Sequence, residues 1–185
     1  MGKKGKVMKQ FKQARQAQSG MTLMEVLAAL AIVASVVVGS LSLFGAANSS
    51  SVSSQLQKDI VALRTATQSA FTGQGGYGTD PLNGVLIASN KVPTSMTTNA
   101  GTGAITTSLN GAVTVTGVTN QFTMVVTAVP ADVCTSLMTG LSAGWQSVKI
   151  GSATAVTTFP VSPAIATGAN GCQTGNNTMT WTTLS

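Results

Sequence analysis

Residues 26–47 pass without one charged side chain, a run of 22 that constrains this chain more than any other stretch. As a helix rising about 1.5 Å per residue it extends roughly 33 Å, enough to cross a bilayer. Val26, Leu27, Leu30, Ile32, Val33, Val36, Val37, Val38, Leu41, Leu43 and Phe44 point all round a 3.6-residue turn and leave no polar face. Upstream stand Lys3, Lys4, Lys6, Lys9, Lys12 and Arg15, and a basic flank of this kind stays cytoplasmic. The pattern predicts an N-terminus held inside and a C-terminus exported. Glu25, at the mouth of the run, breaks it. A charge deep in a bilayer costs roughly 2.5–3.5 kcal/mol, and an unpaired one in packed protein costs several. Cleavage after Gly20 would supply a partner, because Met21 would then carry an α-amine with an ordinary pKa of about 7.7–8.0. That amine and Glu25 lie one helical turn apart within a chain, so the carboxylate can equally serve the amine of an adjacent subunit. The pattern asks for assembly.

The stretch Ser19-Gly20-Met21-Thr22-Leu23-Met24-Glu25, with its basic leader and apolar helix, resembles the N-terminus of type IV prepilins. In that family a leader peptidase cuts after the glycine, the new first residue is N-methylated, and a glutamate follows as the fifth mature residue. The resemblance thus implies cleavage between Gly20 and Met21, N-methylation of Met21 and an assembly role for Glu25. Met21 in place of Phe, after a 20-residue leader, looks like the type IVb subclass, which includes the PilS-like thin-pilus subunits of conjugative plasmids. The implied partners are the chain itself in a homopolymeric helical filament, a prepilin peptidase, a pilus assembly ATPase with its inner-membrane platform, and minor pilins. The implied location is the bacterial inner membrane, then an extracellular pilus. The likeness is close over residues 20–47, weaker along the continuing helix and architectural beyond it.

The formal charge of +6 belongs to the leader: residues 1–20 hold six basic side chains and no acid, and the remainder carries four of each sign. A basic pI of that origin leaves no electrostatic footprint for nucleic acid on the mature surface, so no direct nucleic-acid binding is expected. Charged residues make up 8%, against about 25% in ordinary soluble proteins. Such a surface suits dense neutral packing, and equally an extracellular protein of low charge. Histidine is absent, and beyond the helix the only acids are Asp80 and Asp132. A general acid/base pair or metal cage has almost nothing to be built from, so no enzyme, cofactor or metal site is expected.

The expected organisation is a leader at 1–20, a hydrophobic transmembrane or filament-core helix at 21–47, its amphipathic continuation at 48–72 and a globular part at 73–185. Val52, Leu56, Ile60, Leu63, Thr67, Ala70 and Phe71 recur at helical spacing, with Lys58, Asp59 and Arg64 off the stripe and expected to face water or a neighbour. The glycine-rich residues 73–78 read as a loop. They follow a helix and precede no Gly-Lys-Ser/Thr, which argues against a phosphate cradle; in the resembled family this place is the αβ loop at subunit contacts. Residues 85–88 predict a short buried helix or strand. Residues 112–116 and 122–129 read as paired antiparallel strands, 145–150 and 179–184 as further strands, and 130–140 as a helix started by Pro130 and stopped by Gly140. The fold class is therefore α+β, a long N-terminal helix at about 21–72 on a C-terminal antiparallel sheet, which the resemblance implies is a pilin fold.

Cys134 and Cys172 are the only cysteines, and in an exported domain such a pair is most often a structural disulfide, free thiols being the other reading. Closing that loop removes roughly 4 kcal/mol of unfolded-chain entropy on the chain-entropy model. The pair also resembles the pilin bridge that encloses a region near the C-terminus. Two other readings share part of the pattern. Gly45-Ala46-Ala47 could end a signal peptide, leaving a soluble exported module, and a pseudopilin of a type II secretion system would carry the same N-terminus.

Overall fold

Helix α1, Leu23–Ala70, carries both halves foreseen above in 48 residues. The computed structural model describes residues 22–141 and 144–184, and for 38–47 the backbone alone. The chain divides into two units, Met1–Leu43 and Phe44–Ser185. In the first, the apolar side chains of α1 from Leu23 to Val37 stand exposed. In the second, Leu56, Ile60, Leu63 and Thr67 are buried, as their spacing requires. The helix stops two residues short of 72: Phe71 still donates its N–H to the Thr67 carbonyl (3.3 Å), and Gly73 then turns left-handed at φ 85°. Among the described residues no helix is long and apolar enough to cross a membrane. Of the expected transmembrane segment 21–47, Met21 and the side chains of 38–47 lie outside the described residues.

Two side chains expected to face water or a neighbour turn inward. Asp59 is only 6% exposed and accepts hydrogen bonds from Gln55 Nε2 (2.9 Å) and Ser95 Oγ (2.6 Å). Arg64 is half-buried, its guanidinium 5.2 Å from the centroid of the Trp145 ring. A charge off the apolar stripe goes inside where the tertiary structure supplies donors or an aromatic face for it. Gly144, at φ 82°, lies against that guanidinium, and a Cβ there would collide with it.

Six strands form one antiparallel sheet: β1 Thr97–Asn99, β2 Ala104–Thr106, β3 Ala112–Val118, β4 Gln121–Pro130, β5 Trp145–Ile150 and β6 Asn176–Thr183, in the order β1-β2-β3-β4-β6-β5. Thr119-Asn120 close the β3–β4 hairpin, Thr119 at φ 54°. Strand side chains alternate between faces. Val115, Phe122, Met124, Val126, Met179, Trp181 and Val148 point inward and share one core with Leu56, Ile60 and Leu63. The register shifts between Val126 and Val129, with Ala128 at φ 56°, and beyond this bulge β4 resumes its pairing with β6 at Val129 and Pro130.

Among the described residues three short helices complete the second unit. Helix α2, Asn83–Ala88, resolves the helix-or-strand reading of 85–88; Leu86 is buried there and Val85 exposed. Helix α3, Ala131–Gly140, is the helix expected at 130–140: Pro130, the last residue of β4, is its N-cap, Gly140 is its last helical residue and Leu141 its C-cap. Its buried side is Val133, Cys134, Leu137 and Met138. Helix α4, Pro163–Ala166, begins at a Ser162 cap and was not foreseen.

The glycine-rich loop is tied down along the sheet. β2 pairs with β3 only at Ala112 and Val113, so the rest of that edge of β3 needs other partners. Asp80 accepts from Gly117 N–H (3.1 Å), Leu82 N–H donates to the Val115 carbonyl (2.8 Å), and the buried Asn83 amide bonds both the Val113 carbonyl and the Val115 N–H at 2.8 Å. Gly117 lacks a Cβ where one would strike the Tyr77 carbonyl. On β5, Val148 exchanges both backbone bonds with Val156 (2.9 and 2.8 Å). Long exposed edges that invite stray pairing are thereby covered.

Candidate assembly site

The start of α1 is built from Thr22. Its carbonyl accepts the N–H groups of Glu25 (2.9 Å) and Val26 (3.2 Å), and its Oγ1 also accepts from Glu25 N–H (3.3 Å). Thr22 is thus an N-cap, and Thr22-x-x-Glu25 has the spacing of a capping box. Reading Glu25 only as an anomaly in an apolar run missed this; the threonine three positions earlier was the available signal. A carboxylate in the first turn also faces the positive end of the helix dipole. Glu25 therefore has a local reason to be where it is, and its exposed carboxylate can still accept a further donor.

Behind it lies a contiguous apolar surface. Leu23 and Met24 are 78% and 79% exposed, and Leu27, Leu30, Ile32, Val33 and Val36 are each more than half exposed. Apolar surface of this extent marks an interaction or membrane face. Gly20 and Met21, the expected cleavage and methylation positions, lie outside the described residues. What this arrangement offers is binding: apolar area to bury and one acceptor to orient the burial. Among the described residues no group of His, Cys, Asp and Glu could hold a metal ion.

Cys134 and Cys172 are brought together by the second unit and form a disulfide, with Cα atoms 5.9 Å apart across 38 positions. Cys134 is buried in α3, and Cys172 donates its N–H to the Ala166 carbonyl of α4 (2.7 Å). Buried Asn177 of β6 fixes the following turn, accepting from Gln173 N–H (2.8 Å) and donating to the Gln173 carbonyl (2.9 Å). The bridge therefore fastens the segment carrying α4 between α3 and the sheet.

A family model described as PilS N terminal matches residues 50–184. A second, described as Prokaryotic N-terminal methylation motif, matches residues 15–41 and so spans Gly20, Met21 and Glu25. No curated protein matches the chain.

Proposed function

The chain belongs to the PilS N-terminal family and carries a prokaryotic N-terminal methylation motif, which makes it a type IV pilin-like prepilin, and on that premise we propose that it is the major subunit of a type IVb pilus. Pilin families are structural subunits, not enzymes, and pilin identity implies self-polymerisation after processing by a prepilin peptidase. The finer reading is ours. The peptidase cuts between Gly20 and Met21 and methylates the new Met21 amine. The apolar helix of 21–47 holds the subunit in the inner membrane until an assembly ATPase and platform, with minor pilins, move it into a fibre. There 48–72 and the globular part at 73–185 surround a bundle of apolar helices. Glu25 accepts the Met21 amine of a neighbour and sets axial register, while lateral contacts supply most of the cohesion. The fibre serves adhesion, aggregation or conjugative mating contact.

The observation that carries this reading is the exposed apolar face of α1, headed by Glu25 and lying inside the methylation motif. Mass spectrometry of sheared fibres tests it. Methylated Met21 as first residue is the expected result; a first residue of Asn48, or an uncut leader, overturns it. The same preparation tests Glu25. Glu25→Ala should leave processed, membrane-anchored protein and cut fibre yield at least tenfold, and normal piliation would remove the proposed role.

A further inference from the structure

Within the second unit an open groove of about 430 Å³ lies between α1 and α3, walled by Ser49, Ser50, Ser53, Ser54 and Gln57 on one side and by Asp132 and Ser136 on the other. Six of these seven offer hydroxyl or amide oxygens, the seventh is a carboxylate, and among the described residues no cation lines the groove. Asp132 stands exposed in the first turn of α3. The Ser49 hydroxyl bonded to it holds its carboxyl below the usual range, against a weaker opposing effect of burial, so it is ionised at neutral pH. A site with one negative charge among hydroxyl acceptors matches a primary ammonium, which has three donors and no acceptor.

The sequence narrows the source of that ammonium. Beyond residue 20 the chain holds four basic side chains: Lys58, Arg64, Lys91 and Lys149. Arg64 lies over the Trp145 ring and Lys149 is half-buried in β5. Lys58 follows Gln57, so in a second copy it lies beside that copy's own groove and could meet this one only face to face, whereas a helical fibre joins two different faces. Lys91 is exposed just past α2, where its backbone N–H is fixed to the Leu86 carbonyl (2.9 Å). Resting on the pilus reading above, we propose that the Asp132 groove is a lateral subunit contact that receives Lys91 of a second copy. On a surface this poor in charge, one complementary pair excludes misaligned neighbours, since a wrong register leaves both charges unpaired as they are desolvated.

Charge exchange tests this in cells that assemble the full chain. Asp132→Lys and Lys91→Asp should each lower sheared-fibre yield at least tenfold, and the double exchange should recover at least half of the wild-type yield. Asp132→Asn, a milder change, should lower yield without altering the level of processed protein or the oxidised mobility of the Cys134–Cys172 bridge on a non-reducing gel. Wild-type fibres with unimpaired single variants, or a double exchange that fails to recover while both singles remain oxidised and processed, overturn the contact and leave the pilus reading intact. Absence of fibres from the wild type overturns the pilus reading itself.

Discussion

The two halves of α1 share one helix and differ in what covers them. From Leu23 to Val37 the apolar side chains are exposed, Met24 by 79%; from Leu56 to Thr67 the inward positions are buried under the sheet, Ile60 and Leu63 completely. Burial of apolar area stabilises by roughly 25 cal/mol per Å², so the second half already draws on that stabilisation within the monomer, and the first has it still to gain from a membrane or from other copies. One half of the helix holds the fold together. The other leaves its apolar side chains exposed.

That contrast can be broken in several ways. The largest effect should come from the disulfide that fastens the second unit: Cys134→Ser with Cys172→Ser is expected to cost about 4 kcal/mol in denaturant unfolding of the full chain in detergent. Leu63→Ala should cost about 3 kcal/mol in the same measurement, because Leu63 is fully buried and the cavity cannot close. A loss below about 1 kcal/mol would show that α1 contributes little to the core. Thr22→Ala, which removes the cap of the exposed half, should cost about 1 kcal/mol of local helix stability, read as faster amide exchange near Glu25. Leu30→Ala should change unfolding stability by less than about 0.5 kcal/mol while still lowering fibre yield, since its side chain stands exposed in the monomer.

The smallest effect is one of pH. The Ser49 bond depresses the Asp132 pKa in the folded chain below its unfolded value of about 3.9. Its contribution to stability is therefore present above about pH 4 and is lost as pH falls through the lower folded value. Wild type should melt slightly above Asp132→Asn at neutral pH, and the gap should close in acid. A constant gap between pH 7 and pH 2 would remove Ser49 as the cause.

Much of the architecture was legible because it is local. An uncharged run, a 3.6-residue stripe from Val52 to Phe71 and β-branched alternation in 112–116 and 122–129 each follow from side chains a few positions apart. The β3–β4 hairpin and the strand at Trp145 came out where those residues placed them, the helix ends two residues early, and the strand expected from Met179 begins three residues sooner, at Asn176. Two cysteines in an exported chain were enough to expect their bridge. Elements whose stability is not local escaped. β1 and β2 are three residues each, in a Thr- and Gly-rich stretch with no apolar period, and exist because they extend a sheet nucleated elsewhere.

By itself, then, the amino-acid order determined the long helix, the strands β3 to β6 and which helical face is greasy, since those depend on near neighbours. Only the tertiary structure decided that β6, last in the chain, enters between β4 and β5, that loop 77–83 occupies the free edge of β3, and that Asp59 is buried beside Ser95, 36 positions away. Gln55 is a local donor to Asp59, but its second donor, Ser95, and the strand partners of β6 come from distant parts of the chain, and no short window of sequence contains both members of such a pair.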